Sequence, residues 1–114
     1  MINNLNSILP FLSDLAQNNN RSWFQENRER YDIARQAVLD LTGTLIAEIG
    51  QFDPQVRYLE PKECLFRIYR DTRFSLDKSP YKRHFGIYIA MNGGHRSLFS
   101  GYYIHLQPGN CMLS

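Results

Sequence analysis

Phe85-Gly86-Ile87-Tyr88-Ile89-Ala90-Met91, closed by Asn92-Gly93-Gly94, is the stretch that decides the fold. Positions 85, 87, 89 and 91 are apolar, the two-residue period of a strand with one buried face. Asn-Gly-Gly then marks a turn. Downstream, residues 97–107 read as another strand centred on Tyr102-Tyr103-Ile104-His105-Leu106, and Pro108-Gly109-Asn110 ends it. Upstream, Cys64-Leu65-Phe66-Arg67-Ile68-Tyr69 also alternates and is rich in strand formers.

Before Asp53-Pro54 the period changes. Leu5, Ile8, Leu9, Leu12 and Leu15 recur at helical spacing and predict a helix over 6–17, with Pro10 near its start. Asn18-Asn19-Asn20 breaks it, because Asn side chains compete for backbone hydrogen bonds. Ser22-Trp23-Phe24-Gln25 matches a capping box and predicts a long helix from there to about Gly50. Phe24, Tyr31, Ala34, Val38, Leu41, Leu45 and Ile49 form its apolar stripe, and Arg28, Glu29, Asp32 and Arg35 lie elsewhere. A bend is expected at Thr42-Gly43-Thr44, which is poor in helix formers. Helices first and strands second give an α+β class: two N-terminal helices, one of them long, packed on an antiparallel sheet of at least three strands.

Alternation sorts the strand residues onto two faces. Phe66, Ile68, Phe85, Ile87, Ile89, Met91, Tyr102, Ile104 and Leu106 share the face that must meet the helices. Arg67, Tyr69, Tyr88, Tyr103, His105 and Gln107 share the other. Rings and planar cations with polar tips suit a ligand that has an apolar body and charged groups. The plain alternative is a row of cross-strand pairs, or a face covered by more polypeptide.

Residues 67–84 concentrate the charge. Six cations (Arg67, Arg70, Arg73, Lys78, Lys82, Arg83) against Asp71 and Asp77 leave this segment at +4, while the whole chain is +2. The rest of the chain therefore sums to −2, and the positive field is local. Tyr69, Phe74 and Tyr81 sit between the cations, and Thr72, Ser75 and Ser79 add hydroxyls. Guanidinium forks with hydroxyls recognise phosphate or carboxylate. The competing reading is a structural loop whose cations answer Glu26, Glu29 and Asp32 of the long helix, in surface pairs that contribute only ~0–1 kcal/mol each.

Composition bounds the rest. With 114 residues, 43% hydrophobic and 21% charged, the chain is sized for a single domain or half of a longer one, and is not a disordered tail. No run approaches the ~18 apolar residues of a membrane span, and residues 1–6 lack a leader pattern, so a cytoplasmic protein without membrane contact is expected. Cys64 and Cys111, with 46 residues between them, show no paired spacing; free thiols are expected and neither zinc nor redox chemistry is indicated. His84, His95 and His105 are too scattered for a metal motif. Phosphate-loop, nucleophile-elbow and dinucleotide glycine patterns are all missing, so no metal and no cofactor is expected. Asp71 and Asp77 lie among cations that depress carboxyl pKa values, which suits ion pairing and not acid catalysis.

Three stretches carry a resemblance. They are Phe11-Leu12-x-x-Leu15-x-x-Asn18-Asn19-Asn20-Arg21-x-Trp23-Phe24, Arg67-Ile68-Tyr69-Arg70-Asp71-Thr72-Arg73-Phe74-Ser75-x-Asp77-Lys78-x-Pro80-Tyr81-Lys82, and Gly101-Tyr102-Tyr103-x-His105-x-x-Pro108-Gly109. In this order they resemble the uncharacterised family called domain of unknown function 2461. The resemblance implies a mostly bacterial, soluble protein and carries over no catalytic role. Members of that family continue beyond the third strand for roughly as much chain again, so this sequence resembles its N-terminal half. A sheet ended there is expected to expose an edge and to recruit a second copy as a homodimer.

The leading expectation is a surface for a phosphate- or carboxylate-bearing partner, either an anionic small molecule such as a nucleotide or a nucleic acid. Arg67, Arg70, Arg73, Lys78 and Lys82 supply charge, and Tyr69, Tyr88, Tyr103 and His105 supply rings and hydrogen bonds. Two alternatives stand beside it. One is an enzyme acting on a small anionic substrate, with His105 as the acid/base candidate; the other is a structural or assembly domain with an internally paired loop.

Overall fold

The computed structural model describes residues 5–114 and is α+β. After a 3-10 turn at Leu5–Ser7 come α1 (Ile8–Gln17), α2 (Arg21–Glu26), α3 (Arg28–Ile49) and the short α4 (Pro61–Cys64). β1 (Phe85–Ile89), β2 (Tyr102–Leu106) and β3 (Met112–Leu113) follow. They form one antiparallel sheet in the order β1-β2-β3. No described helix is long and apolar enough to cross a membrane.

α1 buries Ile8, Phe11, Leu12 and Leu15; of the expected stripe, Leu5 and Leu9 stay exposed, and Phe11 joins the buried side instead. The next helix begins earlier than Ser22 suggests. Asn20 is extended (φ −148°, ψ 161°) and its side chain accepts from the Trp23 N–H at 2.8 Å, so Asn20 is the cap. The expected long helix is divided at Asn27. There the Asn27 side chain donates to Trp23 O at 2.9 Å, and its N–H is shared between Trp23 O and Phe24 O. α3 then runs unbroken through Thr42-Gly43-Thr44, with the buried Thr42 hydroxyl donating back to Val38 O at 2.7 Å.

The segment 64–69 departs from its strand reading. Cys64 closes α4, which a Glu60/Glu63 capping box and Pro61 start. Leu65 and Tyr69 make only single bridges, to Ile87 and Tyr81. The cause is a change of partner. Phe66 N donates to Gly86 O of β1, whereas Arg70 N donates to Pro80 O and Lys82 N to Ile68 O. The segment leaves the sheet edge and pairs with the far end of its own loop. The third strand of the sheet is instead Met112–Leu113, two exposed residues opposite Ile104 and His105.

The core lies between the helices and the inner face of β1. Phe85, Ile87 and Ile89 are buried there, together with Phe24, Val38, Leu12 and Leu15. Phe24 is an aromatic hub: its ring stacks on Tyr81 (4.1 Å between centroids, 14°) and meets Tyr31 at 4.9 Å. Asn19 ties the helices to the loop, donating to Tyr81 O (2.8 Å) and accepting from Tyr81 N (3.1 Å). These contacts fix the base of the basic loop against α2.

Candidate functional site

The basic loop is wired to itself. Arg70 donates to Asp77 O (3.1 Å), Ser79 O (2.8 Å) and the Ser75 hydroxyl (3.4 Å), with the Asp77 carboxylate 3.6 Å away. Arg73 forks onto Asp71 at 2.9 and 3.1 Å, and Lys78 donates to Thr72 O at 2.6 Å. The acids that answer these cations belong to the loop; Asp32 of the long helix pairs with Arg28 instead. Both loop carboxyls are held below the usual range, Asp71 by its bonds with Arg73 and Asp77 chiefly by those from Ser79.

Arg67 is placed differently. It lines a cavity of about 310 Å³ between α3 and the 65–69 segment, with Tyr31, Arg35, Phe66, Tyr69, His95 and Arg96 around it. Tyr31 and Arg35 are one helical turn apart on α3 and so face the same way. His95 and Arg96 come from the 3-10 turn Gly94–Arg96. Gly94 sits at φ +56°, and a Cβ there would lie 2.5 Å from Glu63 O, so only glycine lets this turn press against α4 and deliver its two side chains. No residue lining the cavity is acidic. Among the described residues, Arg35, Arg67 and Arg96 form no ion pair within 4 Å. Glu63 borders the adjoining hollow with Arg96 and accepts from Glu60 N at 2.9 Å.

Cations dominate the field in this region, with Asp32 near Tyr31 and Asp71 near Arg67 as the opposing charges. Burial and then Arg67 lower the Lys82 pKa. Burial, then Arg96 and Lys82, lower that of His95. Burial raises the Tyr31 hydroxyl, against the pull of Arg35. Lys82 extends its ammonium over the Phe66 ring, 5.6 Å from the centroid. It borders a second hollow of about 280 Å³ with Arg70, Asp77, Ser79, Arg83 and His84.

The outer sheet face holds the remaining residues singled out by sequence. Tyr103 and His105 share it with Tyr88, the cross-strand neighbour of Tyr103. Tyr103 Oη lies 2.8 Å from His105 Nδ1, and His105 Nε2 lies 2.8 Å from Gln107 Oε1. Because an amide oxygen only accepts, His105 carries its proton on Nε2 and Tyr103 donates to Nδ1. Both ring nitrogens are thus occupied, and a substrate would have to break one of these bonds to use His105 as a base. Tyr88 donates to Phe99 O at 2.7 Å. Gly86 leaves the space that Phe66 and Tyr103 fill, since a Cβ there would meet them at 3.2 and 3.3 Å.

His84 stacks on His105 (4.3 Å, 23°). Burial, His105 and Lys82 together push its pKa from 6.5 down to about 4. The unfolded chain therefore binds a proton near pH 6.5 that the folded ring refuses until about pH 4. Stability is complete above the upper value and falls as pH drops through this window. After allowance for solvent screening of a half-buried ring, the loss is on the order of 1–2 kcal/mol. Urea melts at pH 7, 5.5 and 4.5 check this. The slope should shrink in His84→Gln, and an unchanged slope would contradict the assignment.

Helices on a small antiparallel sheet, beside an arginine- and tyrosine-lined cavity, define an α+β domain with a preformed basic hollow. The chain belongs to the family described as "Conserved hypothetical protein (DUF2461)", whose model matches residues 7–114. No curated protein and no solved structure matches the chain.

Proposed function

We propose that this domain binds a phosphate- or carboxylate-bearing ligand in the cavity of Arg35, Arg67 and Arg96. One observation carries the reading: three arginines line a single cavity, and no described residue of its lining is acidic. Converging like charges repel one another, and an anion relieves that repulsion while taking charge-assisted hydrogen bonds. Tyr31, Phe66, Tyr69 and His95 supply ring faces beside the cations, so an anion attached to a planar or apolar body fits better than a bare ion. Of the residues singled out by sequence, Arg67 and Tyr69 belong to this site. Arg70, Arg73 and Lys78 act by shaping the loop that borders it.

The test is thermal unfolding in inorganic phosphate, pyrophosphate, adenosine monophosphate and citrate, against sodium chloride at matched ionic strength. A ligand at about a hundred times its Kd stabilises by about 2.7 kcal/mol. For a domain of this size that is a rise of roughly 10 °C or more in Tm. Equal Tm in every anion and in chloride would overturn the proposal.

A further inference from the structure

Lys82 links two hollows. Its ammonium stands over Phe66, a wall of the three-arginine cavity, and it also lines the second hollow with Arg70, Arg83 and His84. Its charge acts on a histidine in each, His95 and His84. The chain between the hollows is short. Arg67 lines the first and Arg70 the second, three residues apart in a non-helical segment that bends at Ile68, so their Cα atoms lie within roughly 10 Å at about 3.3 Å per residue. The two hollows share no lining residue, so each offers its own place for an anionic group.

We infer that the ligand is a single-stranded nucleic acid that runs from the three-arginine cavity across Phe66 and Lys82 into the second hollow. This rests on the anion-binding reading above and extends it from one anionic group to at least two. Two features favour a strand over other polyanions. First, Tyr69 is 48% exposed beside Phe66 and His95 in the lining of the first cavity, so a ring face remains open to a base there. Bases stack on such faces at ~1–3 kcal/mol each, a gain not open to an acidic peptide. Second, duplex bases are already stacked on each other and cannot use those rings. The acid in the second hollow, Asp77, is answered by Arg70 at 3.6 Å, and Lys82 and Arg83 remain in that hollow to meet a phosphate.

The test is fluorescence anisotropy with labelled oligothymidylates of one, three and six nucleotides, with inorganic phosphate titrated separately. The hexamer is expected to bind at least tenfold tighter than the mononucleotide. Its affinity should fall with salt at a logarithmic slope of about −2 to −3, the value for roughly three to four phosphates neutralised on a single strand. Arg83→Glu, a substitution at an exposed position, should weaken the hexamer about tenfold while the Tm stays the same. Affinity independent of length, with phosphate still bound, would overturn the strand and leave the single-anion site standing. No binding of either would overturn both. A duplex bound as tightly as the single strand would also refute this inference.

Discussion

Arg67→Ala is expected to lower phosphate affinity by at least tenfold without lowering stability. Arg67 is exposed and forms no ion pair within 4 Å among the described residues, so the folded chain loses no partner when it is removed. Surface changes of that kind stay within about 0.5 kcal/mol. Its removal also relieves Lys82, whose pKa it depresses, and that ammonium should titrate nearer its ordinary value in the variant. The affinity loss follows from a charge-assisted bond of about 1.5–3 kcal/mol. Arg67→Lys keeps the charge and loses the fork, and should fall between. Arg73→Ala is the matched control. Arg73 is exposed too, but its fork is spent on Asp71, and its removal should leave phosphate affinity within about twofold. Isothermal titration of the three variants checks the order. A large loss at Arg73 with none at Arg67 would place the anion on the loop.

Phe24→Ala is expected to have the largest effect on stability, about 3–5 kcal/mol. Phe24 is 1% exposed and has rings of both core and site around it: Tyr81 stacked, Phe11 edge-on at 6.4 Å, Tyr31 at 4.9 Å and Tyr69 at 6.5 Å. A small domain holds roughly 5–15 kcal/mol in all, so the variant forfeits about a fifth or more of its margin. Tyr31 and Tyr69 are walls of the three-arginine cavity, so the hole left behind also frees the site. Phosphate affinity should drop even though no contact to the anion is deleted. Urea unfolding gives the first quantity and titration the second. Phe24→Leu, which restores most of the volume, should recover part of both. A loss of stability with unchanged affinity would show that the site does not depend on this packing.

The fold was legible where periodicity was long. Ile8, Leu12 and Leu15 of the α1 stripe, the alternation of β1 and the centre of β2 all appear in the sequence, and burial follows them. Legibility ended where one side chain decides the outcome. Asn27 divides the long helix through a bond to Trp23 O, and nothing in the apolar stripe announces it. Cys64 to Tyr69 alternates as a strand does, but the chain changes hydrogen-bonding partner midway. The start of α4 was readable in Glu60-Pro61-Lys62-Glu63, which carries both a capping pair and a proline at the first turn. β3, at two residues, is too short to show a period.

The cavity was half legible. Arg67 and Tyr69 stand out because the segment around them is dense in cations. Arg35 and Arg96 do not, since each reaches the cavity from a distant element, α3 and the 3-10 turn at 94–96. The one local signal was the spacing of Tyr31 and Arg35, a ring and a cation on one helical face. Charge density alone pointed to Arg70, Arg73 and Lys78, and could not distinguish cations that hold a loop together from cations that line a cavity.

The most direct test follows the arginine Nε–H resonances of the protein while inorganic phosphate is added. Arg35, Arg67 and Arg96 should shift together along one saturating curve, and Arg73, held by Asp71, should stay in place. Shifts confined to Arg70 and Arg73, or none at any arginine, would contradict an anion site in this cavity.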